Sequence, residues 1–223
     1  MGSEFDAYAG YPEPKEPRLV SPTRRTIENR IAASYRDREF YDGARENGYG
    51  GMKDDGRWAP IARSIKRHYG MQDGDRVLQV RAHKGFLLRA MFNVGLRCTG
   101  CETSHYAIEQ ALVSMDLAPM TKLPYDDGEF DLVIAANVVY TGNLGDAIQG
   151  LKEIQRVSRG RSWITLAAYE NEDDIEGLML MRYWLLLGAT VLTKADWMEV
   201  MEHAGYTGDY RFDTAKFMNL ARG

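Results

Sequence analysis

Arg76-Val77-Leu78-Gln79-Val80-Arg81-Ala82-His83-Lys84-Gly85-Phe86 is the stretch that decides how this chain folds. Val77 to Val80 is a short aliphatic, β-branched run, and the turn containing Gly85 leads into an apolar segment, Phe86 to Val94. Strand, loop and helix in that order make the opening of a βαβ unit. In an open α/β sheet, the loop at the carboxyl end of such a strand is where a nucleotide-like ligand sits.

The flanking segments continue the alternation. Leu96 to Cys101 predicts a second strand, ending at Glu102, and Ser104 can cap a helix whose Ala107, Ile108, Ala111 and Leu112 face inward. Phe130 to Ala136 is a buried parallel strand, and Asn137 to Leu144 is the loop at its carboxyl end. Leu144, Ala147, Ile148, Leu151 and Ile154 mark a covering helix, and Trp163 to Ala167 a further strand. Thr193 and Asp196 fit a capping box for a helix carrying Trp197, Val200, Met201 and Ala204, with Gly205 as its stop. Closing strands near residues 206–212 and 216–221 would complete a Rossmann-like, seven-stranded α/β sheet with helices on both faces.

With 223 residues, 44% of them apolar, the chain has material for one domain. Met1 to Phe5, Met-Gly-Ser-Glu-Phe, reads as a cloning scar. Four prolines in eleven positions, Pro12, Pro14, Pro17 and Pro22, predict a flexible leader over 1–22, so the folded domain is expected at 23–223. Ile27, Ile31 and Tyr35 at four-residue spacing predict an amphipathic helix within 23–40. Residues 41–58 are rich in glycine and charge, a surface loop in which Asp55 could cap the next helix. Trp58, Ile61, Ala62, Ile65 and Tyr69 form one stripe of that helix, which Gly70 closes.

A net charge of −4 and a pI near 5.6 give no global attraction to a phosphate backbone, which argues against a nucleic-acid binder. The lack of an apolar run of about 18 residues and of a signal-peptide pattern points to a cytoplasmic protein with no membrane partner. Cys98 and Cys101 are spaced C-x-x-C, but on a strand rather than at a helix start where a thiolate would be stabilised, so two reduced core thiols are expected. His83 and His105 flank the loop without a third ligand, short of a zinc pattern.

These residues resemble the class I S-adenosylmethionine-dependent methyltransferases. More narrowly, they resemble a small-molecule branch that opens with Tyr-Gly-Gly and Asp-Gly-Arg-Trp, here Tyr49-Gly50-Gly51 and Asp55-Gly56-Arg57-Trp58. The resemblance runs from about 41 to 212. The family's loop reads approximately Val-Leu-Asp-Val-Gly-Cys-(Gly or Ala)-Lys-Gly-Phe. Gln79 therefore stands for the acid, Arg81 for the first glycine and His83 for the next small residue, while Lys84, Gly85 and Phe86 keep the pattern.

The resemblance implies a cofactor site for S-adenosylmethionine built from Gln79, Arg81, Gly85, Glu102 and the backbone of Met120, with Tyr49 and Arg57 on a loop above it. Glu102 would accept both ribose hydroxyls, since a carboxylate offers two acceptor oxygens. Pro119 occupies the place of the acid that accepts from the adenine amino group, and supplies neither that side chain nor an N–H. Asn137 and Tyr140 stand where related members carry Asn-x-x-His, and tyrosine is a poor general base near neutrality.

Gln79 keeps an acceptor but loses the charge, and Arg81 puts a long cation where the ligand needs space. The expectation is that Arg81 lies across the methionine site and pairs with Glu102 or another nearby acid. The chain then reads as a methyltransferase-like protein with lost or weakened S-adenosylmethionine binding, a non-catalytic partner of an active enzyme. Association, homo- or hetero-oligomeric and a dimer in the simplest case, is expected through the apolar helix from Leu178 to Leu187. The competing reading is an active methyltransferase of a small metabolite, a sugar or natural product, with Asn137 and Tyr140 positioning the acceptor.

Overall fold

The computed structural model describes residues 2–12 and 14–223; Met1 of the scar and Glu13 of the leader lie outside the described residues. The decisive stretch forms strand β2 (Arg76–Val80) and helix α4 (Phe86–Phe92), with β1 (Arg18–Val20), α1 (Ile27–Ser34), α2 (Arg38–Asp42) and α3 (Trp58–His68) before them. Then follow β3 (Arg97–Glu102), α5 (His105–Glu109), β4 (Met115–Leu117), β5 (Leu132–Ala135) and α6 (Leu144–Val157). The chain ends with β6 (Ser162–Tyr169), α7 (Ile175–Trp184), β7 (Leu192–Thr193), α8 (Lys194–Ala204), β8 (Asp209–Asp213) and β9 (Leu220–Arg222).

The seven-stranded sheet runs β4-β3-β2-β5-β6-β7, with β8 paired to the other part of β6. All its pairings are parallel, for example Leu78 against Thr99 on one side and Val133 on the other. Alternation along the strands divides the core. Val77, Leu132 and Ile134 pack with Ile61, Ile65 and Met91 of α3 and α4, whereas Leu78, Val133 and Ile164 pack with Leu151 and Ile154 of α6 and Trp197 and Met201 of α8. That period of two, buried on both faces, is what a central parallel strand requires. The Thr193–Asp196 capping box and the left-handed Gly205 start and stop α8 as the sequence predicts.

Several expectations are corrected. The stretch read as a flexible leader is packed: Ala7 is buried, the Phe5 N–H donates to the Tyr210 carbonyl at 2.8 Å, and the Trp163 indole N–H donates to the Phe5 carbonyl at 2.8 Å. Aromatic anchors, with Phe5 stacked on His68, override the proline content. The helix within 23–40 is broken at Arg36, whose φ is +49°. Its stripe faces outward, with Ile27, Ile31 and Tyr35 at 64%, 51% and 71% exposure.

Helix α5 stops before Leu112, which is exposed, and β4 follows as an edge strand too short to show a period. The last strand, β9, pairs with β1 in a separate two-stranded sheet instead of closing the main one. Helix α7 starts at Ile175, capped by Asp174, and ends at Trp184, so Leu185 to Leu187 of the apolar run lie beyond it. Leu180, Met181 and Leu185 are buried against this chain's own core, so its apolar character reflects a position within the fold. Arg30 of α1 fastens it there by donating to the carbonyls of Arg182 (3.0 Å) and Leu185 (2.8 Å), satisfying C-terminal acceptors of the helix.

Candidate functional site

The carboxyl ends of β2, β5 and β8 open into a cleft of about 870 Å³, roofed by the N-terminal segment, the 41–58 loop and α7. Gln79, Arg81, His83, Lys84, Asn137 and Tyr140 all line it. A second cavity of about 240 Å³ lies beside it and is lined by Glu102, Thr103, Ala118, Pro119 and Met120. Arg81 and Arg36 line both.

Arg81 leaves β2 with φ +55°, a left-handed conformation glycine adopts freely and arginine does not. Its Nη1 donates to the Asn137 carbonyl at 3.4 Å. The expected ion pair with Glu102 is not formed: among the described residues no carboxylate lies within ion-pair distance of Arg81, and the tether to β5 takes its place. Burial, reinforced by the Arg36 charge, lowers the Arg81 guanidinium to about 10.

Glu102 is fully inside, and its carboxylate is already engaged. Oε2 accepts the His83 N–H at 3.0 Å and Oε1 the Thr103 N–H at 2.8 Å, with His83 Nδ1 3.6 Å away. Burial pushes its carboxyl up, but the neighbouring His83 and Arg81 and the two N–H donors outweigh burial, and its pKa is lowered. Oε1 also accepts the Thr103 hydroxyl at 3.4 Å, so the spare lone pair is on Oε2.

His83 also has positive φ, +54°. Its ring fills the space between the loop and the roof: Tyr49 Oη lies 3.2 Å from Nε2 and Tyr41 Oη 3.5 Å from Nδ1. Burial holds the imidazole down at about 4.

Gln79 is buried, and among the described residues its Oε1 has no hydrogen-bond partner. Gly85 adopts φ +74° at the start of α4, and a Cβ there would meet Met115 Cε at 2.7 Å and Val113 Cγ2 at 2.9 Å. Only glycine suits that turn. Lys84 is committed to Asp42, donating to Oδ1 at 2.6 Å.

Asn137 has φ +56°, and its Oδ1 accepts the Tyr140 hydroxyl at 3.1 Å. Burial raises the Tyr140 pKa, which leaves its phenol a donor and not a base. Tyr49 and Arg57 both line the cleft. Asp55 does not cap α3 and instead pairs with Arg57, whose Nη1 donates to Tyr11 Oη at 3.0 Å. Cys98 and Cys101 are free thiols on β3, pushed up to about 12 by burial.

Sequence reasoning missed Tyr41, Arg25, Arg36 and the Arg211–Asp213 pair, all of which line the cleft. Only the arginine-rich composition of 18–45 hinted at Arg25 and Arg36.

Residues 78–166 match the family profile described as a methyltransferase domain. That segment is similar to a methyltransferase domain, and the parallel seven-stranded sheet is the methyltransferase fold.

Solved structures share the methyltransferase fold. A SAM-dependent methyltransferase from Archaeoglobus fulgidus superposes with a TM-score of 0.53 at 15% identity, over 70% of each chain. One from Methanosarcina mazei gives 0.50 at 14% identity, over 63% of this chain and 82% of its own. A Haloferax volcanii chain solved with the Trm112 methyltransferase activator gives 0.50 at 22%, over 68% and 73%. Against a methyltransferase of Anabaena variabilis at 22% identity, the match spans 45% of this chain and 41% of that protein, with a TM-score of 0.41. A search of curated protein sequences gave no match. The Archaeoglobus fulgidus and Methanosarcina mazei proteins are SAM-dependent methyltransferases. No described helix of the present chain is long and apolar enough to cross a membrane.

Proposed function

We propose that this methyltransferase-fold chain has lost or weakened S-adenosylmethionine binding and serves as a non-catalytic partner of an active enzyme. The position of Arg81 carries the reading. It lines both the cavity beside Glu102 and the cleft floor beside Gln79, and it is tethered between them to the Asn137 carbonyl. A ligand that used Glu102 for its ribose and Gln79 for its amino-acid end would have to pass through that guanidinium. Gln79 brings no charge to attract an ammonium, and the site residues do not fit the cofactor as they stand.

Because α7 is packed inward, the face open to a partner is the exposed stripe of Ile27 and Ile31 on α1 with Tyr35 at its C-cap. Association has a precedent in the fold, since the Haloferax volcanii chain was solved with an activator. We place the protein in the cytoplasm.

One observation favours the second reading, an active enzyme acting on a small metabolite. The orphaned Oε1 of Gln79, aimed at a large cleft, is an acceptor in want of a donor. In that case Tyr140 and Asn137 would orient the acceptor molecule at the cleft floor.

Thermal unfolding with S-adenosylmethionine and its demethylated product separates the two. No shift at millimolar ligand is expected. A gain of several degrees, as about 2.7 kcal/mol at a hundredfold over Kd would give, overturns the proposal.

A further inference from the structure

Two half-buried arginines stand in the partition between the two cavities. Arg36 and Arg81 each line the cleft of about 870 Å³ and the neighbouring cavity of about 240 Å³. The backbone fixes both. Their φ angles are +49° and +55°, the Arg36 N–H donates to the Ala33 carbonyl at 3.2 Å, and the Ser104 hydroxyl donates to the Arg36 carbonyl.

Neither cation is neutralised: among the described residues, no carboxylate lies within ion-pair distance of either. Nη1 of Arg36 donates to the Thr103 hydroxyl at 3.1 Å, and Nη1 of Arg81 donates to the Asn137 carbonyl at 3.4 Å. Among the described residues, the remaining N–H groups of the two forks make no hydrogen bond. Burial and then the Arg36 charge lower the Arg81 guanidinium, and Glu102 offsets them only in part. Two like charges held together away from bulk water, each with donors unused, favour an anion between them.

The acids decide from which side it enters. The smaller cavity carries Glu102 and Asp146, which repel an anion. In the cleft the three aspartates are all paired, Asp6 and Asp213 with Arg211 and Asp55 with Arg57. Charge decides the kind of anion. Two guanidinium groups against the single Glu102 carboxylate leave an excess of about one positive charge, which a carboxylate balances and a phosphate group of about two negative charges exceeds.

A second observation lies on the same floor. Gln79, two positions before Arg81, is 5% exposed and lines the cleft, and among the described residues its Oε1 has no hydrogen-bond partner. A buried amide oxygen in that state calls for a hydroxyl or N–H donor. With the Arg81 cation so near in the chain, a neutral hydroxyl suits it better than an ammonium.

We infer that the cleft binds a small hydroxycarboxylic acid, its carboxylate bridging the Arg36 and Arg81 guanidinium groups and its hydroxyl donating to Gln79 Oε1. This deepens the reading above by naming what the cleft takes in the cofactor's place, and it rests on that reading for a cleft that S-adenosylmethionine leaves open.

Titration calorimetry of the full chain with lactate, propionate, lactamide and inorganic phosphate tests this. Saturable binding is expected for lactate, with propionate, which lacks the hydroxyl, weaker by about tenfold, and lactamide, which lacks the charge, silent. Phosphate should bind more weakly than lactate. Arg36→Met and Arg81→Met should each weaken lactate by about tenfold or more, since each removes a hydrogen bond to a charged group. Gln79→Met should erase the advantage of lactate over propionate. Arg97→Ala, at the amino end of β3 and away from the cleft, serves as the neutral control. Circular dichroism checks each variant's fold, and Arg81→Lys, which keeps the charge without the fork, covers the case in which Arg81→Met unfolds: it should retain part of the affinity. Absence of saturable heat with both lactate and propionate overturns the inference. So does phosphate binding tighter than lactate, or undiminished lactate binding by a folded Arg36→Met or Arg81→Met. A thermal shift with S-adenosylmethionine alongside lactate binding overturns the previous proposal alone, whereas silence toward both overturns this one alone.

Discussion

Arg81 and Asn137 meet across the carboxyl ends of two neighbouring strands, the Arg81 guanidinium on the Asn137 carbonyl at 3.4 Å, and both residues hold a left-handed backbone, with φ of +55° and +56°. Asparagine tolerates that conformation through its short polar side chain, whereas arginine pays roughly 1–2 kcal/mol for it. The floor of the cleft is therefore closed by a cation on a backbone conformation that glycine adopts freely.

Restoring that turn should reopen the cofactor site. Gln79→Asp with Arg81→Gly is expected to give a thermal shift of several degrees with the demethylated cofactor product, where the parent chain gives none. Scanning fluorimetry reads the difference. A double variant that is folded and still silent would show that the obstacle lies elsewhere, at Pro119 or in the His83 plug.

The amide of Gln79 makes a separate prediction. A buried acceptor left without a donor carries a penalty of about 1–3 kcal/mol, and Gln79→Met keeps the volume while removing the polar atom. The variant should melt higher, by roughly 2–4 °C per kcal/mol recovered for a chain of this size. A lower melting point would mean that the amide is satisfied in solution.

His83 should make the fold acid-sensitive. Its folded pKa, about 4 because of burial, lies below the ordinary 6.5 of an unfolded histidine. Between those values the unfolded chain binds a proton that the folded chain refuses, so stability is full above pH 6.5 and falls as pH drops toward 4. Urea titrations from pH 7.5 to 5 should show this slope, and His83→Asn, chosen because asparagine tolerates positive φ, should flatten it. An unchanged slope in the variant would place the proton uptake on another group.

Arg211 and Asp213 form a buried pair on the wall of the same cleft, with Nε donating to Oδ1 at 2.8 Å and Asp6 closing the other end of the guanidinium. Burial raises the Asp213 carboxyl pKa against the pull of Arg211. Arg211→Met should therefore destabilise by about 3–5 kcal/mol, the penalty for stranding one member of a buried ion pair. Arg211→Met with Asp213→Asn should recover part of it. Chemical denaturation decides, and a loss under about 1 kcal/mol in the single variant would indicate that water already reaches the pair.

The sequence alone determined the central strands β2, β3, β5 and β6 and their spacing. Val77 and Leu78, or Leu132 and Val133, report by their period of two that both faces are covered, and Gly85, Thr193 and Gly205 mark turns and caps through conformations that few other residues adopt. It also singled out Gln79 and Arg81 as departures from the loop that Lys84, Gly85 and Phe86 preserve. Only the tertiary structure decided where those departures lead. The stripe of Ile27, Ile31 and Tyr35 has helical spacing whether it turns in or out, and it turns out because Arg30 and Ala33 take the inward face. The apolar run of α7 fitted a partner surface equally well until β6, β9, β1 and the core were seen to cover it. Arg81 reaching Asn137 instead of Glu102, and three arginines converging on Trp184, join residues 56 or more than 130 positions apart. Periodicity and propensity are local quantities, and contacts at that separation are set by how the layers dock.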